Sequence, residues 1–208
     1  LALLAQEGMD LVYLPKDEEI YPDGFDTWIE PGPCVNKLEG VARPGHFRGV
    51  STVVTKLFNQ IPPTRAYFGQ KDRQQVAVIK HVVLDLNIPV EIRVIETIRE
   101  LDGLALSSRN NQLTAQERVS ARIIHKSLLG GLELFRSGEY VADNIRDSVL
   151  GILLSELKQE QIEYISIVDP DTFEDLQNLK GTSLILVSVR FEKVRLIDNL
   201  ALNQLALG

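Results

Sequence analysis

Apolar side chains recur at helical spacing in two stretches of the first half of the chain. In HFRGVSTVVTKLFNQI, residues 46–61, Val50, Val53, Val54, Leu57, Phe58 and Ile61 share one face. That spacing predicts an amphipathic helix, ended by Pro62 and Pro63. From Gln74 to Leu86, Val76, Ile79, Val83 and Leu86 repeat the pattern. Short apolar runs lie around these helices: DLVYL (10–14), Ala66–Phe68 and VEIRVI (90–95) each read as a strand. LALLAQEG reads as the tail of a helix ending near Gly8, and a polar stretch from Pro15 to about Pro44 carries its clearest turn at YPDGF. Strand and helix in alternation predict a parallel sheet covered by helices.

The pattern changes after residues 97–103. Thr114-Ala-Gln-Glu117 is a capping box that starts a helix whose apolar face is Ile124, Leu128, Leu132 and Phe135. A second helix is predicted from Val141 to Lys158, with Ile145, Val149, Ile152 and Leu153 as its stripe. IEYISIV (162–168), SLILVSVRF (183–191) and VRLI (194–197) read as strands. No long helix separates the last two, so they are expected to pair as a hairpin. The reading is an α/β chain in two parts: 1–97, a parallel sheet with helices, and 98–208, a smaller α+β domain.

Composition narrows the setting. The hydrophobic fraction of 44% supports a sizeable core, and no apolar run approaches the length of a membrane span. A net charge of −7 argues against broad nucleic-acid binding. A single cysteine, Cys34, leaves no internal disulfide and fits a reducing, cytoplasmic setting. His46, His81 and His125 have no zinc-ligand spacing, so no metal ligands are assigned. The chain opens with Leu1 in mid-helix, and sequence upstream is expected.

Three stretches carry candidate chemistry. FGQKDRQQ (68–75) leaves a strand and opens a helix, at the carboxyl end of a parallel strand where ligands bind. Backbone N–H groups and the helix dipole there favour anions, and Lys71 adds a full charge. Lys71 and Asp72 also fit a solvated first helical turn with Asp72 as cap. In DGLALSSRNNQLTAQER (102–118), Ser107, Ser108 and Arg109 are not needed for capping, because Thr114 supplies the cap. Two hydroxyls and a guanidinium suit a polyphosphate; the alternative is a polar surface loop. In LEGVARPGHFRGV (38–50), Arg43, His46 and Arg48 surround a Pro-Gly turn, as an anion site or as helix-entry chemistry on a solvated face.

Together RPGHFRGVSTVVTKLFN, FGQKDRQQ, DGLALSSRN with LTAQER, and the ending VRLIDN resemble the pantoate–β-alanine ligases across essentially the whole chain. The resemblance implies a Rossmann-type domain followed by a smaller C-terminal domain closing over the site, usually in a homodimer. It implies ATP as co-substrate with Mg2+, and pantoate and β-alanine as substrates. Pantoate and ATP form pantoyl adenylate and pyrophosphate, and the β-alanine amine then displaces AMP. By the same resemblance Gly69, Gln70, Lys71 and Asp72 line the ATP site. Lys71 stabilises phosphate charge, and Asp72 holds the ribose or orients Lys71. Ile98 and Leu106 offer backbone contacts to ATP, and Gln75 binds pantoate. Ser107, Ser108 and Arg109 grip the phosphates from the second domain, and Arg43 and His46 lie near the site.

Two departures accompany the resemblance. Gln70 stands where the family usually has glutamate, a small change if the backbone makes the contact. The family's motif with two phosphate-binding histidines is expected upstream of Leu1, together with the first strands of the sheet, another pantoate-binding glutamine and an acidic magnesium ligand. Residues 1–208 alone are therefore expected to turn over poorly. A fused cytidylate kinase exists in some members, and nothing in these residues decides whether one follows here. The alternatives are a related nucleotidyltransferase with another acceptor and a non-catalytic fragment of a fused ligase/kinase.

Overall fold

The computed structural model describes residues 1–179 and 181–203. Its first part holds α1 (Ala2–Gln6), α2 (Asp17–Ile20), α3 (Glu39–Ala42), α4 (His46–Gln60), β1 (Arg65–Gly69), α5 (Arg73–Asp85) and β2 (Glu91–Ile95). β1 and β2 pair in parallel, from Arg65 opposite Glu91 to Gly69 opposite Ile95, with α5 as the crossover. The parallel unit expected from the alternation of patterns is therefore present. A 3-10 turn, Gln70–Asp72, carries the chain from the carboxyl end of β1 into α5.

The run 10–14 does not form a strand. Leu11 and Leu14 are 72% and 71% exposed, and among the described residues β1 and β2 have only each other as partners in their sheet. A strand exists by its ladder, so an apolar run without a neighbour stays irregular.

The stripe on α4 also differs from expectation. Phe47 and Phe58 are buried beside Ser51, Thr52 and Thr55, while the valines and Leu57 are half-covered and Ile61 is exposed. Thr52 meets the cost of burial locally: its hydroxyl donates to the Arg48 carbonyl (2.8 Å) and accepts from the Ile29 N–H (3.0 Å). On α5, Val76, Ile79 and Val82 are buried, with Val83 half-buried and Leu86 exposed.

The second part holds α6 (Ala115–Ser120), α7 (Ile123–Arg136), α8 (Ala142–Leu153), β3 (Ile162–Val168), β4 (Ser183–Arg190) and β5 (Arg195–Leu202). The capping box forms as its residues predict: Thr114 Oγ1 accepts from the Glu117 N–H, and Glu117 accepts from the Thr114 N–H (2.8 Å). The helix it starts is two helices, with a break at the fully buried Ala121. The sheet order is β3-β4-β5, antiparallel throughout, and β4–β5 is the expected hairpin. β5 runs to Leu202 rather than Ile197 because Ser183–Arg190 of β4 offer a partner for its whole length.

One face of this sheet packs on α7 and α8, with Leu128, Ile145, Leu153, Ile167 and Ile185 in its core. Its other side meets α5, where Ala77 packs with Val168, Phe173, Leu184 and Leu186. The helix that follows the Gln70–Asp72 turn is thus seated on the antiparallel sheet, and that seating positions the site.

Candidate active site

A pocket opens where the Gln70–Asp72 turn, the start of α4 and the strands β3–β5 meet. Arg43, His46, Lys71, Asp72, Gln75 and Asn199 are among its walls, with Glu39, Tyr164 and Asp198. The position is the carboxyl end of β1, as expected for a parallel βα unit.

Each side chain is placed by a local cause. Lys71 is half-buried, and its Nζ donates to the Leu106 carbonyl at 3.2 Å. Burial lowers its pKa; Asp72 and Asp198 oppose that shift, and Arg109 and Arg99 reinforce it. His46 opens α4, and the Arg43 guanidinium donates to its Nε2 at 3.0 Å. That bond requires the imidazole proton on Nδ1. Burial and then Arg43 lower the His46 pKa, with Arg109 contributing, so the ring is held neutral.

The two adjacent glutamines have different fates. Gln74 is 2% exposed and spends its amide on backbone: Nε2 donates to the Cys34 and Lys37 carbonyls (2.8 and 3.0 Å), and Oε1 accepts from the Glu39 N–H (3.0 Å). It staples α3 and the preceding loop to α5. Gln75 is half-buried and lines the pocket.

The segment 98–106 forms a tight hairpin beside the pocket. Leu106 N–H donates to the Ile98 carbonyl (2.8 Å), and Arg99 bridges Ala105. Gly103 turns it at φ +90°, where a side chain would be strained. Beyond it, Asn110 is buried and donates to Glu100 (2.7 Å) and to the Ala105 carbonyl (3.1 Å), fixing the loop that carries Ser107, Ser108 and Arg109. Ser107 caps that turn by accepting from the Arg109 N–H.

The predicted residues are therefore divided. Lys71, Asp72, Gln75, Arg43 and His46 share the pocket. Gly69 ends β1, and the carbonyls of Gln70 and Lys71 accept from Asn199. Ser107, Ser108, Arg109, Ile98 and Leu106 lie outside the pocket walls, tied to them by the Lys71–Leu106 bond and by the field of Arg109 at Lys71 and His46. Asp72 stands at the N-cap position of α5 and is exposed, without a side-chain cap hydrogen bond. Arg48 points elsewhere: it sits 4.7 Å over the Trp28 ring and pairs with Glu30. Helix-entry chemistry describes Arg48, and pocket chemistry describes its neighbours Arg43 and His46.

Sequence reading passed over a second group. Glu39, 8% exposed, accepts from the Tyr164 hydroxyl (2.7 Å) and from both terminal nitrogens of Arg195. Burial and the Glu39 carboxylate push the Tyr164 phenol well above its ordinary value. Asp198 and Asn199 stand side by side in β5, 3% and 2% exposed. The usable signal was an acid and an amide interrupting an otherwise apolar strand.

Among the described residues no group of three or more His, Cys, Asp or Glu side chains could hold a metal ion. Two of the pocket's carboxylates are already committed, Glu39 to Arg195 and Asp198 to Arg99. These residues do not fit a resident metal site. Among the described residues no helix is long and apolar enough to cross a membrane.

Comparison with known proteins follows the same lines. Residues 1–201 match the Pantoate-beta-alanine ligase family. The chain is 46% identical over 205 residues to the pantothenate synthetase of Dehalococcoides mccartyi, covering 97% of this chain and 75% of that protein. It is 50% identical over 202 residues to that of Gluconobacter oxydans, covering 97% and 73%. The crystal structure of pantothenate synthetase from Thermus thermophilus matches with a TM-score of 0.92 at 40% identity, over 98% of this chain and 73% of that one. A pantoate-β-alanine ligase from Francisella tularensis, complexed with β-γ ATP and β-alanine, matches with a TM-score of 0.69 at 33% identity, over 96% and 67%. Fold and sequence agree: the chain belongs to the pantoate–β-alanine ligase family.

Proposed function

We propose that the pocket between the Gln70–Asp72 turn, the start of α4 and β5 is where pantoate is adenylated. The observation that carries this reading is the convergence of Lys71, Arg43 and His46, from separate elements, on one pocket that also holds Gln75.

In the first step a pantoate carboxylate oxygen attacks the α-phosphorus of ATP. The bond from that phosphorus to the bridging oxygen breaks, and pyrophosphate leaves. Negative charge builds on the phosphate oxygens, and fixed donors there lower the barrier. Lys71 is the principal donor. Its partner in the resting pocket is a neutral carbonyl, so the ammonium is free to exchange Leu106 for a phosphate oxygen. Repulsion from Arg109 and Arg99 contributes to the lowered pKa of Lys71, and repulsion from Arg43 and Arg109 to that of His46. A triphosphate relieves that repulsion, so nucleotide binding raises both values. Gln75 binds pantoate, and Asp72 holds the ribose or orients Lys71.

Ser107, Ser108 and Arg109 close on the phosphates from the loop beside the pocket, with Gly69, Gln70, Ile98 and Leu106 supplying backbone contacts. In the second step the β-alanine amine attacks the acyl carbon, AMP leaves, and the nitrogen loses a proton. Mg2+ would arrive bound to the triphosphate, since Glu39 and Asp198 are already paired. The same reading takes residues 98–208 as a domain closing over 1–97, in a cytoplasmic homodimer.

The test is Lys71→Ala, assayed by exchange of labelled pyrophosphate into ATP in the presence of pantoate. Loss of a fixed phosphate donor lowers exchange by roughly 10²–10³-fold. Unchanged exchange would remove Lys71 from the chemistry and with it this reading.

A further inference from the structure

The residues that hold Lys71 close a ring. Asn199 Nδ2 donates to the backbone carbonyls of Gln70 and Lys71 (3.1 and 2.9 Å) from a strand nearly 130 residues away. The preceding residue, Asp198, takes a bidentate pair from Arg99 (2.6 and 3.0 Å) and also accepts from the Asn199 N–H (2.8 Å). Arg99 in turn donates to the Gly103 carbonyl (3.1 Å), across the hairpin it belongs to. That hairpin ends at Leu106, whose carbonyl receives the Lys71 ammonium. Two adjacent side chains of β5 thus fix the lysine at both ends, its backbone through Asn199 and its docking point through Asp198 and Arg99.

Stability is a poor account of this arrangement. Asn199 Oδ1 is buried with no hydrogen-bond partner among the described residues. An unsatisfied buried acceptor costs stability. The opposite face of the same strand pair needs no polar group to pack.

We propose that Asn199, Asp198 and Arg99 are positioning residues for Lys71, setting where its ammonium stands relative to the loop that carries Ser107–Arg109. The inference rests on the reading that Lys71 acts on phosphate. A lysine freed by about 1 Å loses alignment with the reacting phosphorus, which can cost about 10²-fold in rate. The substrates still bind, because Gln75, Arg43 and His46 are untouched.

The test is a double-mutant cycle of Asn199→Ala and Lys71→Ala in the full chain, read by pantoate-dependent pyrophosphate exchange. Asn199→Ala lowers kcat for exchange by about 10²-fold, with the KM for ATP and pantoate changed less than about threefold. In the Lys71→Ala background the same substitution has no further effect, because its target is gone. An equal loss in both backgrounds, or an unchanged kcat with only a lower melting temperature, would overturn the proposal. A Lys71→Ala enzyme that exchanges normally would instead overturn the functional reading beneath it.

Asp198→Asn is the second variant, since it keeps the shape of the pair and removes the charge. Asp72 and Asp198 hold the Lys71 pKa up, against burial, Arg109 and Arg99. Taking away one of its two acids moves the alkaline limb of kcat to lower pH. A limb that stays in place would refute the part assigned to Asp198.

Discussion

Replacing Arg195 with methionine tests the buried charge network on which the pocket stands. Arg195 joins β5 to α3 through Glu39 and to β3 through Glu163. The Arg195 and Glu39 side chains are 12% and 11% exposed. Burial works against the guanidinium, but its bonds to Glu39 and Glu163 outweigh that and raise its pKa above the ordinary value. Methionine fills a similar length and leaves Glu39 with the Tyr164 hydroxyl as its remaining side-chain donor. Breaking a buried pair from one side costs about 3–5 kcal/mol. For a chain of this size that lowers Tm by roughly 6–20 °C. Urea unfolding should show a lower midpoint at unchanged slope. The pH profile gives a second check. Burial opposes ionisation of Glu163, yet Arg195, Ser188 and Arg190 together hold its pKa below the ordinary 4.5. Its contribution is therefore fully present above 4.5 and is lost as pH falls through the lower folded value. Wild type should lose stability more steeply than Arg195→Met in that acid window. A cost below about 1 kcal/mol would place the pair with exposed salt bridges and refute the reasoning.

Three further outcomes follow from single observations. Arg43→Ala removes a cation 3.0 Å from His46 Nε2, so the His46 titration followed by NMR shifts to higher pH; a midpoint that stays or falls contradicts the assigned electrostatics. Gly103→Ala puts a methyl 2.5 Å from His125 Nδ1 at φ +90°, and should cost more than about 1 kcal/mol and lower exchange through the hairpin; a neutral substitution would deny that the hairpin is held tightly. Leu128→Ala, at a fully buried position on α7, should cost about 2.7–5 kcal/mol in denaturant unfolding with no change in the KM for ATP.

The elements that were legible in the sequence are those governed by local rules. The α5 crossover, the capping box at Thr114 and the β4–β5 hairpin each announce themselves within a dozen or so residues. So does the junction at Lys71, because a strand followed at once by a helix fixes where a ligand can sit. DLVYL misled because a strand depends on a neighbour that composition cannot reveal. On α4, close packing favoured Ser51, Thr52 and Thr55 over the valines. Glu39 was invisible for a different reason. Its partners Tyr164 and Arg195 lie 125 and 156 residues away, so in the sequence it is an ordinary acid in a polar loop. Asp198 and Asn199 were within the recognisable VRLIDN ending, yet only the fold shows that Asn199 reaches back to the Gln70–Asp72 turn and Asp198 to Arg99.

The most direct test of the account is whether pantoate drives exchange of labelled pyrophosphate into ATP, measured on wild type and Lys71→Ala side by side. The account predicts exchange that requires pantoate, proceeds without β-alanine, and falls by roughly 10²–10³-fold when Lys71 is lost. Exchange that ignores pantoate, or that survives the loss of Lys71, would contradict it.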